Sequence, residues 1–362
     1  MSIGARRLLA VIVAIAMIGI AFGVRALFFD DDEGGGGSSA SNDDGRPPRL
    51  LCAVELSTVC NELAREHGIE VQIEPAGTSV DRIAELPDAQ LRDLGFDGWL
   101  TFSRDAQIAR ERRERSTLAP AIGEPTDPIG RSPLVIGIWR DRAEALEEAC
   151  GGGAPITWRC VGDFSGREWV DAGGDAAWGR VKPAHADPAT SGEGLLVIGQ
   201  AASNFYDRTD LSLDDYAEDA FLEWFSRLED NARIEPQSPF AQMLVGGAAL
   251  YDMVGTLEAE AAPQLARASR DRREQVRLLY PAPVATADVV FVPAVNADDA
   301  DALADLLTGD DGRAALARAG WRVPGEPLAR GVPDTPPLDA RDNLPDAGSL
   351  QALLDTWREV VG

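Results

Sequence analysis

Histidine is almost absent from this sequence, which contains only His67 and His185 among its 362 residues. A structural zinc site takes four closely spaced Cys or His ligands, and the sequence shows no such spacing. His185 and Asp187 lie in one turn-rich stretch, but they supply neither a nucleophile with its base nor a complete set of metal ligands. We therefore expect no metal site and no catalytic histidine.

Phosphate-binding and nucleophile motifs are also lacking. The sequence contains no Gly-x-x-x-x-Gly-Lys-Ser/Thr loop and no Gly-x-Ser-x-Gly elbow. The three glycines at 151–153 follow a predicted helix rather than opening one, which is typical of a turn and not of a dinucleotide loop. We expect a protein that is not an enzyme and that needs no cofactor.

Basic residues are few, with 34 Lys and Arg against 60 Asp and Glu, for a net charge of −26. Nucleic-acid binding requires basic surface to neutralise phosphates, so this balance argues against a nucleic-acid partner. The length and the hydrophobic fraction of 45% are sufficient for a large core divided between two lobes or domains.

The four cysteines form two close pairs in the sequence, Cys52 with Cys60 and Cys150 with Cys160. Four cysteines allow three disulfide connectivities, and proximity along the chain favours these two pairs. Such pairs are expected to be disulfides in a protein that lies outside the cytoplasm. A zinc site is the rival interpretation, and the shortage of histidine speaks against it.

Residues 1–29 carry a targeting signal. Arg6 and Arg7 precede an apolar run from Leu8 to Phe29, and acidic residues follow at Asp30–Glu33. About 20 apolar residues cross a bilayer, and flanking arginines mark the cytoplasmic side. We expect a cytoplasmic stub with a single-pass transmembrane signal anchor in the cell membrane, and an extracellular main domain. The alternative is a cleaved signal peptide, for which Ala21–Gly23 offers a weak cleavage site.

The remaining chain divides into three parts by composition. Residues 30–48 are rich in Gly, Ser and Asp and predict a flexible acidic linker. Residues 49–330 form the main domain. Residues 331–362 predict a strap rich in Pro and Asp, followed by a C-terminal helix that Ser349 caps.

Strand-like and helix-like runs alternate through the first part of the main domain. Strands are predicted at Arg49–Leu56, Ile69–Ile73 and Phe96–Ser103, and a helix follows each of them. This alternation indicates a parallel sheet and an α/β fold. Ligands of open α/β sheets bind beyond the carboxyl ends of the strands, where Ser57, Ser79 and Ser103 stand. The alternative for each serine is a helix cap that touches no ligand.

The later part of the main domain is predicted to contain both strands and helices, with further strands at 132–139, 181–185, 276–280 and 289–292. A strand is predicted at Ile156–Cys160 and an amphipathic helix at Leu213–Leu228. A long helix is predicted over Pro239–Glu260, with Ser238 as its cap, because proline is well tolerated at the first helical position.

The stretch 182–199 is polar and rich in turn residues, and it becomes apolar at Leu195. Asp187, Pro188 and Ser191 are each suited to start a helix, whose free N–H groups favour an anion or a polar ligand oxygen. An ordinary capped helix is the alternative.

These residues also carry a resemblance to a known family. A basic residue, then His185-Ala-Asp187-Pro188, then Ser191 and Gly192 opening an apolar helix, resembles the second-lobe motif of type II periplasmic solute-binding proteins. The similarity is greatest to the sulfate/molybdate-like group of Gram-positive envelopes. It implies a two-lobed type II fold behind the transmembrane helix, in which the strand at 132–139 crosses between lobes. It also implies ligand contacts from both lobes, at Ser57, Thr58, Thr78, Ser79, Ser103, Asp187, Ser191 and Gly192.

The same resemblance implies lobe one at about 49–133 and 276–325, and lobe two at about 134–275. We expect a membrane-anchored extracellular domain that captures a small polar ligand between its lobes, with a transporter or another envelope protein as a possible partner. The alternative is an interaction or scaffold module that keeps this fold without a ligand. Glu55 and Glu193 lie in the predicted site loops and would repel an oxyanion, so a cation or an amine-bearing ligand suits these loops better.

Overall fold

The computed structural model describes residues 45–151, 155–339 and 341–361. The predicted anchor at residues 1–29 and nearly all of the predicted linker lie outside these residues. Within the described ranges, none of the helices combines the length and the apolar character that a membrane crossing requires.

The described part of the chain contains nine strands, fourteen α-helices and four short 3-10 helices. The strands are β1 Arg49–Ala53, β2 Glu70–Glu74, β3 Gly98–Phe102, β4 Gly130–Trp139, β5 Pro183–Ala186, β6 Arg233–Glu235, β7 Met253–Leu257, β8 Val276–Leu279 and β9 Thr286–Pro293. The helices are α1 Ser57–His67, α2 Ala76–Glu85, α3 Ser103–Arg115, α4 Arg140–Ala149, α5 Trp158–Phe164, α6 Gly192–Tyr206, α7 Leu213–Tyr216, α8 Asp219–Asn231, α9 Pro239–Gly246, α10 Glu258–Arg267, α11 Arg270–Gln275, α12 Ala300–Thr308, α13 Asp310–Ala319 and α14 Ala347–Val361.

Lobe one is built on strands β2, β1, β3 and β9, in that spatial order. The first three strands run parallel, and β9 lies antiparallel to β3. Every residue of β3 is buried, as expected for a strand covered on both faces. The carboxyl ends of the three parallel strands lead directly into helices α1, α2 and α3, which places these three helix starts at one edge of the sheet.

Strand β4 is shared by both lobes. Its first residues, 130–133, pair with β9 of lobe one. From Leu134 onward it pairs with β7 on one edge and, from Ile136, with β8 on the other. Lobe two continues from β7 to β5 and β6, which run parallel to each other. The chain returns to lobe one between β8 and β9, so two segments connect the lobes.

The predicted α/β fold with two lobes is confirmed, but one long element is wrong. The helix predicted at 239–260 ends at Gly246, and strand β7 and the start of α10 occupy its second half. The apolar run that suggested a helix here is a fully buried central strand, which has no polar face to reveal a period of two. The prediction places Glu260 at the end of a long helix, whereas the structure places it in the first turn of α10.

Two further elements differ from prediction. The strand predicted at 156–160 is the start of helix α5, whose Trp158 side chain is buried. The helix predicted at 213–228 is broken into α7 and α8, because the backbone of Glu218 is extended. The helix cap predicted at Ser349 is also wrong. Ser349 lies inside α14, and its backbone N–H donates to the Asp346 carboxylate at 2.7 Å.

Both predicted disulfides are confirmed. Cys52–Cys60 joins the end of β1 to α1 in lobe one, and Cys150–Cys160 joins the end of α4 to α5 in lobe two. The first is fully buried in the main core. Each bridge closes a short loop within one lobe, so neither restricts the movement of one lobe relative to the other.

The C-terminal segment, residues 331–361, contacts both lobes. The Asp342 carbonyl accepts a hydrogen bond from the Thr286 N–H at 2.8 Å, and the Asp342 side chain pairs with Arg104. Helix α14 then packs against α3 of lobe one and against α6, α7 and α8 of lobe two. This segment therefore bridges the lobes independently of the two strand connections.

Candidate functional site

A cavity of about 110 Å³ lies between the lobes. Lobe one contributes Val54, Glu55 and Ser57, from the turn between β1 and α1. Lobe two and the adjoining α10 contribute the remaining lining residues, which are mostly polar. The lining is Val54, Glu55, Ser57, Ala186, Ser191, Glu193, Gln237, Ser238 and Glu260. The cavity adjoins a second space of about 200 Å³, whose walls include Leu257, Ala259 and Trp321.

Glu55 connects the two sides of this cavity. Its Oε1 accepts a hydrogen bond from the Ser191 hydroxyl at 2.9 Å and another from the Glu193 N–H at 3.2 Å. Ser191 is the N-cap of α6, and its Oγ also accepts from the Gly194 N–H at 3.1 Å. A carboxylate of lobe one therefore occupies the helix start of lobe two, where the sequence predicted a ligand oxygen.

Two carboxylate oxygens at the cavity receive no hydrogen bond. They are Oε2 of Glu55 and Oε1 of Glu193, and both atoms are buried. The Glu193 side chain has a relative exposure of only 2%. A buried polar atom without a partner lowers the stability of the fold by about 1–3 kcal/mol, so a hydrogen-bond donor that reached these oxygens would stabilise the protein.

Burial governs the protonation of this acidic group. Burial, followed by the negative charges of Glu260 and Glu55, raises the pKa of Glu193 well above its ordinary value. A hydrogen bond between the Glu193 and Glu260 carboxyl groups raises the pKa of Glu193 further. Burial also raises the pKa of Glu55, although its hydrogen bonds oppose the shift. Glu193 is therefore protonated at a pH where a free carboxyl group is ionised.

Asp105 extends the acidic group on the side of α3. Burial and the charge of Glu55 raise the pKa of Asp105 to about 7. The Thr101 hydroxyl donates to its Oδ2 at 2.8 Å. No Lys or Arg is among the described residues that line the 110 Å³ cavity, so the acidic side chains there lack a protein countercharge.

Next to the cavity the lobes meet directly at two glycines. The Gly77 N–H of α2 donates to the Thr190 carbonyl of lobe two at 2.9 Å. A Cβ atom at Gly77 would lie 2.3 Å from the Ala189 carbonyl oxygen, and one at Gly192 would lie 2.7 Å from the Phe102 ring. Such approaches leave no room for a side chain, so the lobes are closed against each other at this seam.

The structure brings only part of the predicted ligand set to the cavity. Ser57 and Ser191 line it, and Thr58 lines the adjoining space. Gly192 lies at the seam under the Phe102 ring. The side chain of Asp187 accepts a hydrogen bond from the Ala189 N–H at 2.8 Å, which stabilises the turn before α6.

The remaining predicted serines and threonine have other surroundings. Ser79 lies inside α2 rather than at its start, and its hydroxyl donates to Glu74 at 2.7 Å, so the predicted cap is wrong. Thr78, on the same helix, is exposed. Ser57 and Ser103 are the first residues of α1 and α3, and neither helix has a side-chain cap. The hydroxyl residues near the strand ends therefore predicted which edge of the sheet carries the cavity. They did not predict which side chains line it.

Glu260, Gln237 and Ser238 line the cavity but were not predicted. Glu260 was not predicted because the helix predicted over 239–260 places it at a helix end, away from the strand ends. In the first turn of α10 it lies near the positive end of the helix dipole, where an acidic residue is stabilised. The signal that was available is the pair Glu258 and Glu260 directly after a buried apolar run, which is typical of a strand followed by a helix start.

His185, in the motif that carries the resemblance, is buried in β5 and does not line the cavity. Its Nε2 lies 3.1 Å from Glu229 Oε2 and its Nδ1 lies 2.8 Å from the Ala186 carbonyl. The Trp357 indole of α14 donates to the same Glu229 oxygen at 2.7 Å. Burial alone would lower the pKa of His185, but the charge and hydrogen bond of Glu229 raise it overall. This buried network joins β5, α8 and α14.

Larger recesses exist elsewhere. A groove of about 790 Å³ lies on lobe one and is lined by α3 and residues 117–124. Arg110 and Glu124 form an ion pair in its lining. Among the described residues, no group of three or more His, Cys, Asp or Glu side chains is arranged to hold a metal ion.

Sequence comparison identifies no relative: no protein-family model matches the chain, and no curated protein matches it significantly. Structural comparison is informative. The chain is similar to a periplasmic thiamin-binding protein, with a TM-score of 0.58 at 10% identity, covering 90% of this chain and 100% of the other. It is also similar to a ferric ion-binding protein of Pasteurella haemolytica, with a TM-score of 0.56 at 13% identity, covering 86% and 97%.

A third similar structure is a Trichodesmium protein in complex with iron and citrate, with a TM-score of 0.53 at 12% identity, covering 87% of this chain and 97% of the other. The first two are binding proteins by name, and none of the three is named as an enzyme. Identities this low establish the fold alone. The described chain has the two-lobed fold of the type II periplasmic solute-binding proteins.

Proposed function

We propose that this protein is an extracellular solute-binding protein that holds a small polar ligand in the cavity between its two lobes. The observation that carries the proposal is the cavity itself, which lies between lobes of the type II fold and is lined by polar groups from both. Binding proteins of this fold close on their ligands by hinge motion, and strand β4 with the segment 280–285 supplies the two connections for such a hinge.

The hydrogen bonds already made in the cavity argue against an oxyanion as the ligand. The predicted subgroup binds oxyanions, which require N–H and O–H donors at a helix start. Here Glu55 already takes the Ser191 hydroxyl and the Glu193 N–H. A second anion would meet this carboxylate at close range, so the sulfate/molybdate-like assignment is not the one that the cavity supports.

The cellular setting is part of the same proposal. The apolar run at 8–29, flanked by Arg6 and Arg7, supports a membrane anchor that keeps the domain near an ABC-type transporter. The two disulfides support a location outside the cytoplasm. Protease treatment of intact cells should remove the domain from the cell surface. A domain released whole into the medium would contradict the anchor.

A second candidate is an interaction module that keeps the fold without a ligand. The observation in its favour is the seam, where Gly77 and Thr190 already join the lobes by a backbone hydrogen bond. In that case Glu55 substitutes permanently for a ligand at the start of α6.

Thermal denaturation of the full-length protein in detergent separates the two candidates. The solutes are amines, amino acids, sugars, oxyanions and divalent metal ions, each tested alone. A solute that binds only the native state raises the melting temperature. At a solute concentration of 100 times the Kd, the free energy of unfolding increases by about 2.7 kcal/mol. The Ser57→Phe variant should abolish the shift because Ser57 lines the cavity, whereas Ser116→Phe, at the exposed end of α3, should retain it.

Stabilisation by a solute that Ser57→Phe abolishes and Ser116→Phe preserves supports solute binding. The absence of any shift in the wild-type protein across all five solute classes would contradict it and favour the interaction module. A shift that both variants retain would place the binding site outside the cavity and contradict the proposed site.

A further inference from the structure

We propose that the interlobe cavity binds an organic ammonium ion, which the carboxyl groups of Glu55, Glu193 and Glu260 hold. This inference rests on the proposed solute-binding function and specifies its ligand class. An acidic cluster alone would not justify it, because many such clusters are solvated surface. The independent observation is that two carboxylate oxygens in this cavity are buried and receive no hydrogen bond.

These oxygens belong to opposite lobes. Oε2 of Glu55 comes from lobe one, and Oε1 of Glu193 comes from the first turn of α6 in lobe two. Glu193 is 2% exposed, so bulk water does not satisfy this group. Buried polar atoms in proteins are almost always hydrogen-bonded, and exceptions mark a missing partner. The missing partner here must supply donors to both lobes at once.

Charge identifies this partner as a cation. Three glutamates line the cavity, and the described lining contains no Lys or Arg. The nearby Arg322 is fully engaged with Glu258, through contacts of 2.7 Å from two of its nitrogens. Arg267 reaches only the adjoining 200 Å³ space and is exposed. A charged ligand group is therefore needed to neutralise the acidic cavity.

Donor chemistry separates an ammonium ion from other solutes. An ammonium group carries a positive charge and N–H donors, which match acceptor-only carboxylates. An oxyanion offers acceptors alone and would leave both free oxygens unpaired. A bare metal ion needs several ligands converging at one point, and the described residues contain no such group of three.

The space favours a small organic ion. The 110 Å³ cavity accommodates an ammonium group with a short carbon chain. The adjoining space of about 200 Å³ shares Glu55, Ser57, Ser238 and Glu260 with it and is bounded by the apolar side of Trp321 and Leu257. A carbon chain extending from the ammonium group would therefore lie against apolar surface, while its charged end stays among the carboxylates.

Binding should displace a proton. In the empty cavity burial and the negative charges of Glu260 and Glu55 raise the pKa of Glu193, so its carboxyl group keeps a proton at a pH where a free carboxyl group is ionised. The other titratable groups that face this pair are Glu55 and, beyond Gly192, Asp105. Glu258, on the same helix as Glu260, is neutralised by Arg322. An ammonium ion takes over the role of the Glu193 proton, which leaves to solvent.

Isothermal titration calorimetry on the full-length protein tests this inference. Putrescine, methylammonium and ethanolamine serve as ammonium probes. The uncharged 1,4-butanediol matches putrescine in length, and sulfate, Mg²⁺ and Ca²⁺ are the ionic comparisons. We expect at least one ammonium probe to bind, and we expect no binding by 1,4-butanediol. Titrations in two buffers of different ionisation enthalpy should show release of about one proton. Affinity should rise about tenfold for each unit by which the pH increases, as long as the pH is below the pKa of Glu193.

Variants identify the residues. Glu193→Gln and Glu260→Gln keep the shape and remove the charge, and each should weaken ammonium binding at least tenfold. Glu66→Gln, on the exposed part of α1, should leave it unchanged. Two separate cavity variants keep the test valid if one of them fails to fold.

The contrary results are distinct. Binding of putrescine that neither cavity variant weakens, or equal binding of 1,4-butanediol, would overturn the ammonium site. So would an absence of binding by all three ammonium probes. If an oxyanion or a sugar stabilises the protein and Ser57→Phe abolishes that effect, the solute-binding function stands while this inference fails. A protein that no solute class stabilises contradicts both.

Discussion

Glu258 and Glu260 lie two residues apart at the start of α10, and their surroundings are opposite. Glu258 has no exposed surface, and two nitrogens of Arg322 and the hydroxyl of Tyr280 all donate to it. Glu260, two residues later on α10, faces a cavity together with Glu193 and Glu55. Glu193 and Glu55 each retain a buried oxygen without a donor.

The presence or absence of a hydrogen-bonded partner distinguishes a buried carboxylate that stabilises the fold from one that is available to a ligand. A buried charge that is fully paired contributes to the fold, and removing its partner is costly. A buried charge that lacks a partner lowers stability, and proteins keep such groups where a ligand supplies the partner. Glu229 is intermediate, because His185 and Trp357 contact one of its buried oxygens while the other has no hydrogen-bond partner.

The largest effect is expected from breaking the paired group. Arg322→Met leaves the Glu258 carboxylate buried beside Tyr280 alone, which should cost about 3–5 kcal/mol in free energy of unfolding. Urea denaturation measures the loss. Arg270→Met, which breaks an exposed ion pair with Glu274, should change stability by less than about 0.5 kcal/mol. Equal losses in the two variants would show that Glu258 does not differ from a surface acid.

A smaller loss is expected at the contact between α14 and lobe two. Trp357→Phe removes the indole donor to Glu229, which should cost about 1–3 kcal/mol because the carboxylate is buried. Thr356→Val is the control on the same helix, since its hydroxyl bonds within the helix to Ala352. The prediction fails if urea denaturation gives the two variants the same stability.

The opposite sign is expected at the cavity. Glu193 and Asp105 have raised pKa values in the folded protein, so their contribution to stability is complete below their unfolded pKa of about 4 and is lost as the pH rises. For Asp105 this loss continues to a pH of about 7. Glu193→Gln removes part of this loss and should therefore stabilise the empty protein at pH 8 by about 0.5–2 kcal/mol.

Melting temperatures at pH 5 and pH 8 test this sign. The advantage of Glu193→Gln over the wild-type protein should be larger at pH 8 than at pH 5. Glu66→Gln should show no such dependence. A Glu193→Gln variant that is less stable than the wild-type protein at pH 8 would mean that the carboxylate is paired after all.

Much of the fold was predictable because lobe one follows a regular pattern. Strands β1, β2 and β3 alternate with helices, and a buried apolar run marks β4. Strand β7 was not predictable in the same way. All five of its residues are buried, and a continuous apolar run has the same appearance in a buried helix and in a central strand.

The candidate site was predictable in position but not in chemistry. Helix starts at strand ends placed Ser57 and Ser191 at the cavity, as the sequence suggested. The sequence also showed that Glu55 and Glu193 were unsuited to an oxyanion. It could not show that Glu55 crosses to the other lobe and bonds to Ser191, because that contact joins residues 136 positions apart and depends on how the lobes close.

The most direct test of the central claim is hydrogen–deuterium exchange of the full-length protein with and without putrescine. If the interlobe cavity is the ligand site, the amides at 54–59 and 193–195 should become more protected, because they frame the cavity from both lobes. The larger groove lined by residues 107–124 provides an internal comparison and should remain unchanged. Protection confined to that groove, or no protection in either region at saturating putrescine, would contradict the account.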